Sequence, residues 1–340
     1  MGEEEMRHFR FIIPAILALA LAACDVHELP VGDADVAVTL NLRYNYDLPQ
    51  YQTMDFDTRA DGQQYITRYV INLYKYASET YSTTPSYSFV FLGTSIKNLD
   101  NTFTFGVEAA NYRVVVWTDY IAYGTEVDLF YNPTDFSEVV LTNKYYGAEP
   151  MRDCYFGSED MLMADLLASG STYDCTVNLE RPVARFNFIS TDSDKFLDYW
   201  IQQLALRNGT FVKKDKKDLD LNKFSVRFVY PQYLPNTFNL HSGKAVDSAT
   251  GVSFTTNMQV LEDGNIDLGF DWVFMGDEGK VVVSLELYDQ DGTYISTVSN
   301  ITVPVKRGQQ TTVIGKILTS GISSGISIDP TYDGEFTVFI

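Results

Sequence analysis

Apolar and polar positions alternate with a period of two along most of this 340-residue chain. Val36, Val38, Leu40 and Leu42 share one face of an extended segment, and Ala37, Thr39, Asn41 and Arg43 share the other. Val281, Val283, Leu285 and Leu287 alternate in the same way with Val282, Ser284, Glu286 and Tyr288. This is the pattern of strands with one face on a core. Further strands are expected at 69–76, 86–92, 101–107, 112–117, 176–190, 223–229 and 295–305. Asp61-Gly62, Asp263-Gly264, Asp291-Gly292 and Asp333-Gly334 mark turns between extended segments. Short turns with no alternating helices predict an all-β chain of antiparallel β-sandwiches, not βαβ units.

Helical spacing is confined to a few places. Phe196, Trp200 and Leu204 fall at i, i+4 and i+8 within 192–206, with Leu197 and Ile201 beside them. Asp192 or Ser193 is placed to cap this helix, and Asn208-Gly209 to end it. Residues 158–168 form a weaker helical candidate, and the charged run 213–220 reads as a solvated loop. A fresh strand begins after Arg181-Pro182, with Ala184, Phe186 and Phe188 on one face. The expected division is residues 35–180 and 181–340, each the size of one sandwich, with a short helix in the second.

Composition narrows the chemistry. A net charge of −20 argues against binding nucleic acid, which requires a basic surface. Three histidines leave little from which to build a Ser-His or Cys-His pair or a His-rich metal site. The Asp289-Gln290-Asp291-Gly292 stretch lacks the later oxygen ligands of a calcium loop, and Tyr288 and Tyr294 flank it as hairpin strands do. No Gly-rich phosphate loop lies between a strand and a helix. No catalytic residue, metal site or cofactor is expected. Trp117, Trp200 and Trp272 sit among apolar residues and read as core positions before sugar-stacking platforms.

The run Phe11–Ala23 is too short to cross about 30 Å of hydrocarbon, which takes ~20 residues, and has the length of a signal-peptide core. Arg7 and Arg10 precede it, and Met6 is a plausible start. Leu21-Ala22-Ala23-Cys24 resembles the lipobox of bacterial lipoproteins. That resemblance implies a signal peptide over 1–23, acylation of Cys24, a lipid-anchored tether over 24–34 and attachment to the outer membrane. In an exported chain the remaining cysteines, Cys154 and Cys175, could pair as a disulfide or stand as two buried thiols. Phe336, Val338 and Ile340 share one face of a last strand, which fits either its own sandwich or a groove in a neighbouring subunit.

Several stretches after the lipobox resemble the fimbrillin-type lipoproteins of Bacteroidetes. They are Cys24–Pro30, Gly106–Tyr120, Leu179–Phe186, Asp271–Phe274, and Ile301–Arg307 running on to Leu318-Thr319. The resemblance implies two transthyretin-like β-sandwiches, a place at the cell surface, and a non-enzymatic role as a fimbria-associated anchor, assembly or adhesion subunit. Fimbrial subunits are then the partners, and membrane contact runs through the N-terminal lipid. It also implies Arg59 as a processing site, which an exposed loop arginine equally explains. A surface carbohydrate- or glycoprotein-binding lipoprotein is the alternative reading.

Overall fold

The computed structural model describes residues 27–29, 35–44, 65–93, 100–124, 127–166, 170–207, 215–321 and 336–339. Cys24, Arg59, Ile340 and the turns expected at 61–62 and 333–334 lie outside the described residues.

The molecule is all-β. In the first sandwich, β2 (Val36–Tyr44) alternates buried and half-exposed positions as its sequence predicts. It pairs antiparallel with β6 (Asp100–Val107) and parallel with β11 (Thr172–Leu179). The two-residue β1 (His27–Glu28) lies parallel to β6 on its far side. The facing sheet is centred on β3 (Tyr65–Ala77), between β7 (Asn111–Ala122) and β5 (Tyr87–Gly93). β4 (Thr80–Tyr81) folds back on the end of β3, and β10 (Tyr155–Leu162) pairs with the outer side of β7. Val38, Leu40, Phe103, Tyr69, Ile71 and Val114 fill the space between the sheets.

The second sandwich repeats this connectivity. β12 (Val183–Ser190) pairs antiparallel with β18 (Ile266–Phe274) and parallel with β21 (Gln310–Gly315). β17 (Gln259–Val260) extends this sheet beyond β18, and β22 (Phe336–Phe339) runs parallel to β21. Opposite lies β13 (Ser225–Val229), between β16 (Ser253–Asn257) and β19 (Glu278–Tyr288), with β20 (Tyr294–Lys306) next to β19. Helix α1 (Ser193–Arg207) closes one side of this core with Phe196 and Trp200, both fully buried. A single turn, α2 (Ile317–Ser320), adds Ile317 and Leu318 to the same core.

Four expectations change. The sheets are not purely antiparallel, because β2 with β11 and β12 with β21 run side by side in the same direction, as do the short β1 with β6 and β22 with β21. Strands that enter a sheet from the same end need a long crossover, and here the facing sheet supplies it. The helical candidate at 158–168 is strand β10 through Leu162, held by eight paired positions along β7 and by Arg113 on Asp160 across the strands. The long strand expected at 176–190 breaks at Glu180–Pro182, where the chain passes from β11 to β12. The Asp192 side chain does not cap α1; it accepts hydrogen bonds from Ser190 and Thr319, tying α1 to α2.

A third apolar cluster joins the sandwiches. Trp117, Phe130, Tyr131, Phe136, Phe156, Phe238 and Phe274 meet in it, drawn from both sides of residue 181. Beside it, β8 (Tyr131–Asn132), β9 (Val139–Leu141), β14 (Leu234–Asn239) and β15 (Lys244–Ala249) form a small sheet, with Val139 of β9 opposite Phe238 of β14. All three tryptophans are core residues, Trp117 and Trp200 fully buried and Trp272 nearly so. None is available as a sugar platform.

Candidate functional site

Alternation along β3 sends Tyr69, Ile71 and Leu73 into the first core and turns Arg68, Val70, Asn72 and Tyr74 to the outer face of the sheet. On the β7 side that face is roofed by the third cluster. On the β5 side it carries no such roof among the described residues. The segment 128–134 stands over the sheet between the two halves, and a cleft of about 450 Å³ lies beneath it.

Arg68 anchors the roofed half. Its guanidinium lies directly across from Asp119 of β7 and grips it with two hydrogen bonds, Nε to Oδ1 at 2.9 Å and Nη2 to Oδ2 at 2.6 Å. The same guanidinium donates to Asp128 Oδ1 at 2.5 Å and to the Tyr131 carbonyl at 3.2 Å. One cation therefore fixes both the sheet face and the overlying segment. Burial pushes the Asp119 carboxyl above the ordinary range, and Arg68 pulls it only part of the way back.

Asn72 lies four residues along β3, where the cleft begins. It is 4% exposed and lines the cleft. Its Nδ2 reaches the Tyr74 hydroxyl at 3.4 Å, while Oδ1 meets no hydrogen-bond donor among the described residues. Val90, on β5 directly beside Val70, is 60% exposed in spite of its apolar side chain.

A second polar cluster lies buried between the sandwiches. Arg152 pairs with Asp271 and donates to the carbonyls of Tyr146 and Trp272. Tyr145 and Tyr230 both donate to Asp271 Oδ2, and the Tyr145 ring lies 4.5 Å under the guanidinium. Arg152 and Tyr145 come from one side of residue 181, Asp271 and Tyr230 from the other. Burial again holds the Asp271 carboxyl above its usual range against the pull of Arg152. Gly147 sits so close to Phe254 that a Cβ there would lie 2.1 Å from the ring.

The residues singled out in the sequence are not brought together. Cys154 and Cys175 are free thiols. Cys154 belongs to the third cluster and Cys175 to the first core, so the sheet containing β10 and β7 separates them, and of the two readings it is the pair of buried thiols, not the disulfide, that is seen. Burial raises the Cys154 thiol far above its ordinary value and pushes Cys175 up to about 12, so neither is a ready nucleophile. Asp289 Oδ1 accepts the backbone N–H groups of Asp291 and Thr293, which makes it the keystone of a hairpin turn. Among the described residues no cluster of His, Cys, Asp and Glu has the makings of a metal site, and no helix is long and apolar enough to cross a membrane. The sequence pattern assigns no role to Arg68, Asn72, Asp119, Arg152 or Asp271, and only Asp119 and Asp271 fall in stretches that carry the family resemblance. Their one signal is a charge or amide set among apolar strand residues, as in Tyr69–Leu73 beside Arg68, or Asp271 between Phe270 and Trp272.

A family model described as a family of unknown function, DUF6562, matches residues 32–339. No curated protein matches the chain. Among solved structures it is similar to the fimbrial anchor protein Mfa2 of Porphyromonas gingivalis, at 10% identity and a TM-score of 0.40 over 78% of this chain and 82% of that one. It is also similar to a fimbrial assembly protein of Parabacteroides distasonis, at 12% identity and a TM-score of 0.35 over 82% of this chain and 90% of that one.

Proposed function

The chain belongs to DUF6562, a family of unknown function, and we propose that this member is a non-enzymatic, lipid-anchored surface protein that serves fimbrial assembly or adhesion. The observation that carries the reading is Leu21-Ala22-Ala23-Cys24 at the end of a thirteen-residue apolar run. A thioether-linked lipid at Cys24 would hold the protein on the outer membrane, with residues 35–180 and 181–340 as two units outside the cytoplasm. Two further features support it. The buried ionisable groups are spent on one another, Arg68 on Asp119 and Arg152 on Asp271, which suits a mechanical part more than a catalyst. The outer edge of β11 carries no paired strand among the described residues, whereas β22 covers the equivalent edge of β21. That edge runs open to its far end, where Phe156 of β10 bridges to Glu180, and its open part is a ready place for a partner's strand.

The test is metabolic labelling with a clickable fatty acid, followed by membrane fractionation. The wild-type protein should carry the label and sediment with membranes. Cys24→Ala should lose the label and either appear in the soluble fraction or accumulate unprocessed. A Cys24→Ala protein labelled as strongly as the wild type refutes the anchor, and with it the proposed role.

A further inference from the structure

We infer that the outer edge of β5, over Ser86–Val90, is a self-association surface. On it a second copy of this chain pairs its own β5 antiparallel, about a two-fold axis through Ser88. The inference rests on the first sandwich alone and needs neither the lipid anchor nor the edge of β11.

The second sandwich shows how such an edge is closed from within. β16 holds the place beside β13 that β5 holds beside β3. Its Phe254 is 8% exposed, because the Tyr145 ring stacks on it at 6.0 Å and Gly147 lies so near that a Cβ would collide with the ring. Segment 145–148 thus seals that side of the second core. In the first sandwich no described segment does this over the start of β5. Tyr87 and Phe89 turn toward the core, where Phe89 stacks on Phe105 at 4.6 Å, yet both stay half-exposed. Ser86, Ser88 and Val90, on the other face, are exposed. Among the described residues β5 pairs with β3 and with no strand on its other edge.

The edge also lacks the usual protection. No residue from Thr80 to Gly93 is charged, in a chain with 25 basic and 45 acidic residues. Natural edge strands are guarded by lysines, inward charges or bulges, and a bare apolar one is a template for another strand. Pro85 has no N–H to give and stops a ladder at Ser86. Phe91 and Gly93 are buried, so the free stretch runs from Ser86 to Val90.

Charge and symmetry select a second copy as the occupant. Two chains of net −20 repel where their charged surfaces meet, so a neutral strip is where they can approach. An axis through Ser88 sets Tyr87 opposite Phe89 of the copy, twice, on the core side. On the outer face it sets Ser88 opposite Ser88 and Ser86 opposite Val90. Cross-strand aromatic pairs are among the favourable ones in antiparallel sheets. Here they extend the Tyr87–Phe89 stack, 6.2 Å between centroids within each strand, and close both open cores at once. The two Ser88 hydroxyls at the axis can each donate to and accept from the other. Val90, 60% exposed in one copy, gains a neighbour across the ladder.

The experiment uses the full-length protein in mild detergent, followed by sedimentation over a range of concentrations. A reversible monomer–dimer equilibrium should appear. Ser88→Lys places two like charges directly opposite at the axis, so it should raise the dimer dissociation constant about tenfold or more. The site is exposed, so the melting temperature of the dilute monomer should not change. Ser88→Cys tests the register: opposed residues in an antiparallel ladder have Cα atoms about 4.5–5.5 Å apart, within disulfide reach. Mild oxidation should therefore give a covalent dimer through Cys introduced at 88, and Val90→Cys, displaced from the axis, should give little. A monomer at every concentration overturns the inference, as does a dimer that Ser88→Lys leaves intact. Stronger cross-linking through Val90→Cys than through Ser88→Cys overturns the pairing about Ser88. In cells, a Ser88→Cys adduct to a protein other than this chain assigns the edge to a different partner and overturns self-association.

Discussion

The two sandwiches carry the same cross-strand pair in the same place and use it differently. In the first, Arg68 of β3 lies opposite Asp119 of β7. In the second, Arg227 of β13 lies opposite Glu286 of β19, and these strands hold the corresponding positions in their sheet. The first pair has side chains 9% and 1% exposed; the second has 44% and 25%. The sandwiches thus share a local solution, and what differs is the roof. The third cluster covers the first pair, while water covers the second. The same ion pair is consequently an expensive structural commitment in one sandwich and a weak surface contact in the other.

The largest effects should come from breaking the buried pairs one partner at a time. Arg152→Leu leaves Asp271 charged and unpaired between the sandwiches and should cost about 3–5 kcal/mol in urea unfolding. Arg68→Leu should cost a similar amount, and its deficit should shrink in acid. Asp119 already has a raised pKa in the folded protein, so the variant is least penalised below the unfolded carboxylate value of 3.8 and loses stability as pH rises through the folded value. Adding Asp119→Leu to Arg68→Leu should recover most of the loss. A single Arg68→Leu variant as stable as the wild type at pH 7 would show that the roof does not desolvate this pair.

Gly147→Ala comes next. Its Cβ would collide with the Phe254 ring, and overpacking of this kind costs roughly 1–3 kcal/mol. A crystal structure of the variant should show the Phe254 ring displaced; an unmoved ring with unchanged stability would mean the approach is looser than described. Arg227→Ala, the exposed counterpart of Arg68, should cost no more than about 1 kcal/mol and lose even that in high salt. A cost equal to that of Arg68→Leu would erase the contrast between the sandwiches.

The smallest effect concerns His241, which packs edge-on against Tyr74 at 4.7 Å. Burial lowers its pKa from 6.5, with Asp135 opposing. The stability it contributes is therefore present above pH 6.5 and lost as pH falls through the lowered value. His241→Gln should flatten the fall in melting temperature between pH 7 and 5; an identical slope would assign that fall to the carboxylates.

Much of the fold was legible because one-sided burial writes a period of two into the chain. β2 and β19 are buried at every second residue, as Val36–Leu42 and Val281–Leu287 predict. Helix α1 was legible for the same reason at a period near four. Residues 158–168 misled because Glu159, Asp160 and Met161 suit a helix as well as they suit an outer strand. The cleft could not be read at all: Asn72, Val90 and Thr134 are unremarkable in sequence and acquire meaning only where β3, β5 and segment 128–134 converge.

The sequence by itself determined which residues face a core, where most strands turn, that tryptophans would be buried, and that Leu21–Cys24 reads as an export and acylation signal. These are local properties, set by period, turn chemistry and the length of an apolar run. Tertiary structure alone decided that β2 pairs in parallel with β11 and β12 with β21, that Cys154 and Cys175 fall on opposite sides of a sheet, and that Arg68 is buried where Arg227 is wet. Each depends on what another part of the chain lays over a surface, and burial by a distant segment leaves no period in the sequence it covers.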